Sequence, residues 1–494
     1  MNAPRLGFVL RFALASALAV GLLVWLAHGA ALLGFPFQSF DYGEGGTMIA
    51  SWRLAQGLSI YPDIQEAPFF VNPYTPVYLW LGALFMEDGP TLFGGRLLSL
   101  GSGLGVACLL FVWLRRQAGL EAALVGTTLF VVHPLVLGWT VLYRTDSLAL
   151  FFGFAGLLVA EAAWREEDPP LGRQVFAVVL LALGFYTKQS MVAPILAVLG
   201  MAWLAGFRPG FRLTGLVLLM LAFPALALEA FSQGRFLGTV FGYNVMPFQS
   251  EQARLCLGGY LSSAMGMVFL VAVCAVRDGF RRHRLGWLFL AASLPIALGS
   301  GRQGGFYNYC LELHLALSLL SGLGWQTAAQ GRPGRACAVA LLLMLQVALG
   351  GVSRLPPYLF SPWDHLRFET GFVLRGEDPP WRKQARDAGG IAAWLERNPG
   401  PILAENLANP TLLGRTPWVV DPMILFTLAR DGRWNPEPVL ERVERQEFAV
   451  IFLQVLEGNI RFSPEAIARI QARYRVVGRA GVDLILLPDP GAGP

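Results

Sequence analysis

Asp41 and Glu44, in the run Phe40-Asp41-Tyr42-Gly43-Glu44-Gly45-Gly46, stand three residues apart just beyond the first apolar stretch of a largely apolar chain. A carboxylate near a bilayer is costly and is kept where it has a partner or a task. The same chain places Arg144 with Asp146, Lys188, Arg302, Asn308 and Glu312 at the edges of later apolar runs. A carboxylate suits proton abstraction, a guanidinium grips an anion as a fork, and an ammonium meets it as a point charge. Together these residue types describe a polar site that faces one compartment, removes a proton and holds negative charge.

Each group also has a plainer reading. Glu44 to Ala55 reads as an amphipathic interfacial helix with Glu44 in its first turn, where the helix dipole favours a carboxylate. Asp41 as cap and Glu44 as its capping-box partner would account for both without function. Gly43, Gly45 and Gly46 leave room for a ligand or for close backbone approach. Thr145 or Asp146 reads equally as a helix cap, and Lys188, in Thr187-Lys188-Gln189-Ser190, as a lysine snorkelling to head groups. In Gly299-Ser300-Gly301-Arg302-Gln303-Gly304-Gly305-Phe306-Tyr307-Asn308-Tyr309-Cys310-Leu311-Glu312, Asn308 and Glu312 share a helical face at i and i+4. Arg302 there is either a phosphate contact or the structural partner of Glu312. His133 and His314 have no metal-ligand spacing around them and read as ordinary polar or packing positions.

The elements that must position these groups are membrane helices. Of 494 residues, 55% are hydrophobic and 14% charged, with a mean hydropathy of +0.51; a soluble domain is excluded. Spans of roughly 20 apolar residues are expected at 8–33, 91–114, 119–141, 146–164, 174–187, 190–206, 213–232, 258–276, 285–300, 307–326 and 335–353. The stretch 76–86, bounded by prolines, reads as re-entrant or interfacial. Basic clusters (Arg5 and Arg11, Arg115-Arg116, Arg165 with Arg173, Arg208 with Arg212, Arg277 with Arg281, Arg282 and Arg284, Arg332 with Arg335) fall on alternate loops if the N-terminus is cytoplasmic and 76–86 does not cross. The net charge of +5 is therefore topology, and no nucleic-acid-binding pattern is present. The N-terminal run is too long for a signal peptide and reads as an uncleaved anchor. Cys256 and Cys310 both fall near the outer face, either as a disulfide or as two thiols.

Beyond residue 354 the chain is charged, proline-bearing and free of further spans. Pro401–Glu405, Trp418–Val420, Phe448–Leu453 and Val482–Leu487 read as strands, alternating with helical Lys383–Glu396, Pro436–Gln446 and Pro464–Tyr474, the last capped by Ser463. The expected fold is an all-α polytopic membrane domain, 1–353, of about 11 transmembrane helices plus a re-entrant or interfacial segment, with a small C-terminal α/β extracytoplasmic domain, 354–494. The first outer loop is 34–75.

The loop with Asp41 and Glu44 after the first span, followed by Tyr61-Pro62-Asp63 and Asn72-Pro73-Tyr74-Thr75-Pro76, resembles the first outer loop of the C-superfamily of integral membrane glycosyltransferases. The bacterial members related to protein O-mannosyltransferases, lipid A aminoarabinose transferase and rhizobial lipopolysaccharide core transferases are the nearest in pattern. Arg144-Thr145-Asp146 resembles their second outer-loop acidic site, Lys188 a basic residue between later spans, and Gly304-Gly305 to Glu312 a segment of many bacterial homologues. The resemblance covers about the first 330 residues and, more weakly, the tail. Two departures stand out: relatives often have adjacent acids where Asp41 and Glu44 are three apart, and Pro-Pro where this chain has Thr75-Pro76.

The resemblance implies an inverting hexosyl- or pentosyltransferase of the bacterial inner membrane, acting in cell-envelope glycan synthesis. A polyprenyl-phosphate sugar is the donor, and the hydroxyl of a glycan, lipid or protein the acceptor. Glu44 is then the base, with Asp41 second; Lys188, Arg302 and Arg144 hold the donor phosphate; Asp146, Asn308, Glu312 and Tyr74 orient substrate. No cofactor is implied, and no ligand set demands a metal. A secondary transporter or lipid flippase also needs intramembrane charge, but would show repeated halves with broken helices at the midplane; these charges gather at one face. A scaffold with a partner-binding tail leaves the polar group without a reason.

Overall fold

The computed structural model describes residues 3–38, 41–164, 170–329 and 380–492. It divides into two compact units, Met1–Leu32 with Arg96–Pro224 and Pro247–Gly371, and Leu33–Gly95 with Ala225–Met246 and Phe372–Pro494. The second unit gathers the loop 34–75 with the tail; the boundary expected at 353/354 lies outside the described residues.

The first unit is helical. Among the described residues five helices are long and apolar enough to cross a membrane: Arg11–Leu33, Phe93–Ala118, Asp146–Ala163, Phe207–Phe231 and Arg284–Gly301. Ser250–Ser263 and Met265–Arg277, bent by 75°, make a sixth if taken as one span. The eleven expected spans are therefore not all reproduced as long helices. The span 119–141 divides into Leu120–Val131 and Pro134–Trp139, because the ring of Pro134 forces His133 into extended backbone (φ −73°, ψ 133°). The span 258–276 is crossed by the bend at Ala264. Leu171–Thr187 and Ala193–Ala205 are apolar but short, and 335–353 lies outside the described residues.

One antiparallel pair matters most. Asp146–Ala163 and Leu171–Thr187 pack along their length because glycines remove the side chains between them. A Cβ on Gly184 would lie 3.1 Å from the Gly153 nitrogen, and one on Gly156 3.0 Å from the Ala177 carbonyl. Asp146 opens the first helix and Lys188 follows the second, so the hairpin itself brings the two residues together.

The second unit is built on a four-stranded sheet. Strand β1 (Phe69–Phe70) pairs in parallel with β3 (Val419–Val420). The larger sheet has the order β2 (Ile402–Ala404), β4 (Val450–Leu453), β6 (Asp483–Pro488), β5 (Tyr474–Ala480), with β2 parallel to β4 and the others antiparallel. Its core includes Phe69, Leu425, Phe426, Trp434 and Ile451. Trp434 meets Phe69 edge-on at 5.3 Å and donates its indole N–H to the Ile64 carbonyl, which ties residues of loop 34–75 to the tail. The helices Pro380–Arg397, Glu437–Glu444 and Pro464–Arg473 occupy the expected stretches, and Ser463 caps the last by accepting from Ala466 N at 3.1 Å. Residues 77–83 form one short helix, Val77–Ala83, too short to span.

Candidate functional site

In the first unit the residues from 144, 146, 188 and 308 meet. Asp146 is buried in the first turn of its helix, and its side chain does not cap that helix. Its Oδ1 instead takes Lys188 Nζ at 2.5 Å and Asn308 Nδ2 at 2.9 Å. Arg144 Nε lies 3.8 Å from Asp146 Oδ2, an ion pair too long to be a hydrogen bond. Ser99 Oγ donates to the Arg144 carbonyl. Aromatic rings lie beneath both cations: Lys188 stands 5.0 Å from the Tyr309 ring centre and Arg144 5.6 Å from that of Trp139. Lys188 is only 5% exposed, so it does not snorkel. Removing one partner of such a buried pair costs about 3–5 kcal/mol, which makes the arrangement a fixed feature of the fold.

Glu312 sits one turn beyond Asn308, buried, and accepts from Ala193 N at 3.2 Å. It thereby receives one of the unsatisfied N–H groups at the start of Ala193–Ala205. That N–H stands where the sequence offered Arg302 as its structural partner. Lys188 is also near enough to Glu312 to act on it electrostatically. Arg302 lies on the loop with a partly exposed side chain; its backbone bridges to Phe248 and its carbonyl accepts from Gln252 Nε2. Among the described residues, Arg302 is not one of the groups paired with Asp146.

His133 and His314 form a small network. His133 Nδ1 accepts from Leu135 N and its Nε2 meets Ser263 Oγ at 2.9 Å. His314 Nδ1 meets Tyr260 OH at 3.1 Å, and the two imidazoles lie 4.4 Å apart. The polar-packing reading of both is what this geometry describes. Cys256 and Cys310 are free thiols.

In the second unit, Asp41 and Glu44 flank the start of Gly43–Ala55, but no capping box forms: Tyr42 is the cap residue and no side chain caps the helix. Glu44 is fully buried while Asp41 is partly exposed. Of the two, the residue expected as base, Glu44, is therefore the enclosed one. The cause is Gly45, where an added Cβ would lie 2.7 Å from the Ala408 nitrogen; the glycine serves close backbone approach and draws Glu44 inward. Tyr74 closes a turn, its carbonyl accepting from Tyr61 OH and Asn72 Nδ2, both at 2.9 Å.

A charged group in the tail was not singled out as functional from the sequence. Glu405 pairs with Arg461, and its other oxygen accepts from Gln454 N at 2.7 Å and Asn459 Nδ2 at 3.1 Å. The Arg461 guanidinium lies 4.2 Å from the Tyr42 ring centre, directly beside Asp41 in the chain. Burial of the Tyr42 hydroxyl, with Asp421 and Glu405 nearby, pushes its pKa well above the usual tyrosine range. Asp421 itself is a helix cap, accepting from Ile424 N in left-handed backbone (φ 62°). Burial pushes the Asp483 carboxyl up to about 7, with Glu405 adding to the effect. A lone arginine in the tail carried no sequence signal; only folding brings it to the loop. Among the described residues no three His, Cys, Asp or Glu side chains converge as a metal site.

A family model described as dolichyl-phosphate-mannose-protein mannosyltransferase matches residues 72–232. None of the curated proteins matches the sequence significantly. The structure is similar to that of ArnT from Cupriavidus metallidurans bound to undecaprenyl phosphate, with a TM-score of 0.61 and 14% identity over 97% of this chain and 99% of that one. The apo state of ArnT gives 0.62 at 14% identity over 100% of both. The apo oligosaccharyltransferase of Archaeoglobus fulgidus gives 0.53 at 12% identity, over 97% of this chain and 74% of that one.

Proposed function

We propose that the chain is a membrane glycosyltransferase of the C-superfamily, a reading supported by the family segment at 72–232 and by the fold, and that it performs an inverting transfer of a sugar from a polyprenyl-phosphate donor to an acceptor hydroxyl on the outer face of the membrane. The observation that carries this reading is the buried group at Asp146, where Arg144 and Lys188 bring two positive charges to one carboxylate. A phosphate departing from a sugar is an anion such a group favours, in surroundings dry enough for the interaction to be strong. The ArnT relative was solved with undecaprenyl phosphate, so a lipid phosphate is compatible with this fold.

The step is a single displacement. As the acceptor oxygen attacks the anomeric carbon, its proton passes to a carboxylate; the bond from that carbon to the phosphate oxygen breaks, and its electron pair leaves with the phosphate. We assign the base to Asp41, because it is partly exposed whereas Glu44 is buried; Glu44 supports the loop. Arg144 and Lys188 neutralise the leaving phosphate, and Arg302 serves its approach. Asp146 and Asn308 hold Lys188 in place, Glu312 acts on the same lysine, and Tyr74 orients the acceptor. The tail contributes through Arg461 against Tyr42, which fixes the residue next to the base.

The test is transfer of radiolabelled sugar from a panel of synthetic polyprenyl-phosphate hexoses and pentoses to glycan, lipid and peptide acceptors, by the full chain in lipid vesicles. Transfer by the wild type that disappears in well-folded Asp41→Asn supports the reading. Transfer unchanged in Asp41→Asn would remove Asp41 as the base.

A further inference from the structure

A cavity of about 380 Å³ lies within the first unit, lined by Trp113, Gln117, Glu161, Arg282, His283, Arg284 and Gln326 among others. Its place follows from two helices that also hold the site described above. Glu161 is fifteen residues along the helix that starts at Asp146, and Gln326 fourteen along the helix that carries Glu312. At 1.5 Å per residue both lie roughly 21–23 Å along their helices from the Asp146 group. The cavity is therefore at the opposite end of the helix bundle and is a separate feature.

Five consecutive residues, Arg282 to Gly286, line it across a break between two helices. His283 departs from helical backbone (φ −129°, ψ 46°) between Met265–Arg282 and Arg284–Ala297. The break turns Arg282, His283 and Arg284 toward one space. It also leaves the first N–H groups of Arg284–Ala297 without a side-chain cap at the cavity, the backbone arrangement that suits an anion. Glu161, an acidic side chain of the lining among the described residues, accepts from Trp113 Nε1 at 3.1 Å. Arg277, nearby in sequence, reaches the Thr327 carbonyl. The volume exceeds what a bare phosphate fills, leaving room for an esterified head group.

We propose that this cavity is a second phosphate-binding site, gripped by Arg282 and Arg284, for a phosphate ester at the bundle end opposite Asp146. The sequence explained these arginines by topology alone, which requires positive charge on a loop but not a pocket. Basic pockets between membrane helices are suited to lipid head groups. The inference does not rest on the sugar-transfer reading.

The experiment is native mass spectrometry of the full chain in detergent with phosphatidylglycerol, with phosphatidylcholine and with inorganic phosphate. The variants are Arg282→Gln/Arg284→Gln and, as control, Arg208→Gln/Arg212→Gln, which removes two exposed arginines just beyond the helix whose Met201 also lines the cavity. The expected result is retention of phosphatidylglycerol by the wild type, weakened on the order of tenfold in the Arg282/Arg284 variant and unchanged in the control. Retention of inorganic phosphate with the same loss in that variant assigns a free phosphate rather than a lipid. Equal binding by wild type and the Arg282/Arg284 variant, equal loss in both double variants, or no phosphate ligand retained at all overturns the site.

Discussion

At the scale of single residues, the test is which groups act and which merely hold. Asp41→Asn is expected to lower transfer by roughly 10²–10⁴-fold, while Glu44→Gln lowers the melting temperature of the chain more than it lowers transfer at a permissive temperature; the reverse ranking would restore Glu44 as base. Lys188→Met takes from buried Asp146 its closest cation, leaving Arg144 at 3.8 Å and Asn308, and is expected to destabilise by about 3 kcal/mol. Lys188→Met/Asp146→Leu removes both charges and should recover most of that stability, measured by thermal unfolding in detergent, yet remain inactive. Recovery of transfer in the double variant would reduce the pair to a structural role. The Asp146, Lys188 and Asn308 group was legible because charge interrupting apolar runs is conspicuous. The order of Asp41 and Glu44 was not, since a glycine flank reads equally as open space or as close packing, and only Ala408 decides between them. The partner of Glu312 was not legible for a related reason: a glycine-rich loop leaves the direction of Arg302 undetermined, and Ala193 N donates to Glu312 instead.

At the scale of elements, the approach of Gly43–Ala55 to the tail makes a sharp pair of substitutions. Gly45→Ala puts a Cβ against backbone that cannot give way and should cost about 1–3 kcal/mol. Gly46→Ala meets only Leu407 Cδ1 at 4.0 Å and should leave stability unchanged or slightly raised; similar losses in both would mean that the helix does not rest on Ala408. The sheet offers a pH test. Unfolded, Asp483 ionises near 3.8; folded, burial holds its proton up to about 7. Between those values the native state carries a proton that the unfolded state lacks, so stability falls as pH rises through that interval and levels off above it. Asp483→Asn should flatten this part of the melting profile, and an unchanged slope would assign it to other groups. The four strands expected in the tail were legible from apolar runs. Strand β5 was not, because Arg475 and Arg479 on an exposed edge mask its pattern.

At the scale of the whole molecule, membrane character and the charged ends of the helices were written in composition and hydropathy. The partition into units was not, because it depends on long-range pairing such as Phe69 with Val419, and two-residue strands have no period to detect. Broken spans were hidden too, since an apolar window averages across Pro134 and across the bend at Ala264. The central claim, sugar transfer from a lipid phosphate, is tested most directly by following radiolabel in sealed vesicles that contain the full chain and a polyprenyl-phosphate sugar. Label passing covalently to an acceptor hydroxyl with inverted anomeric configuration, and lost in Asp41→Asn, is the predicted result. Label that crosses the membrane while remaining on its polyprenyl phosphate, with no acceptor modified under any donor, would contradict the enzyme and identify a carrier.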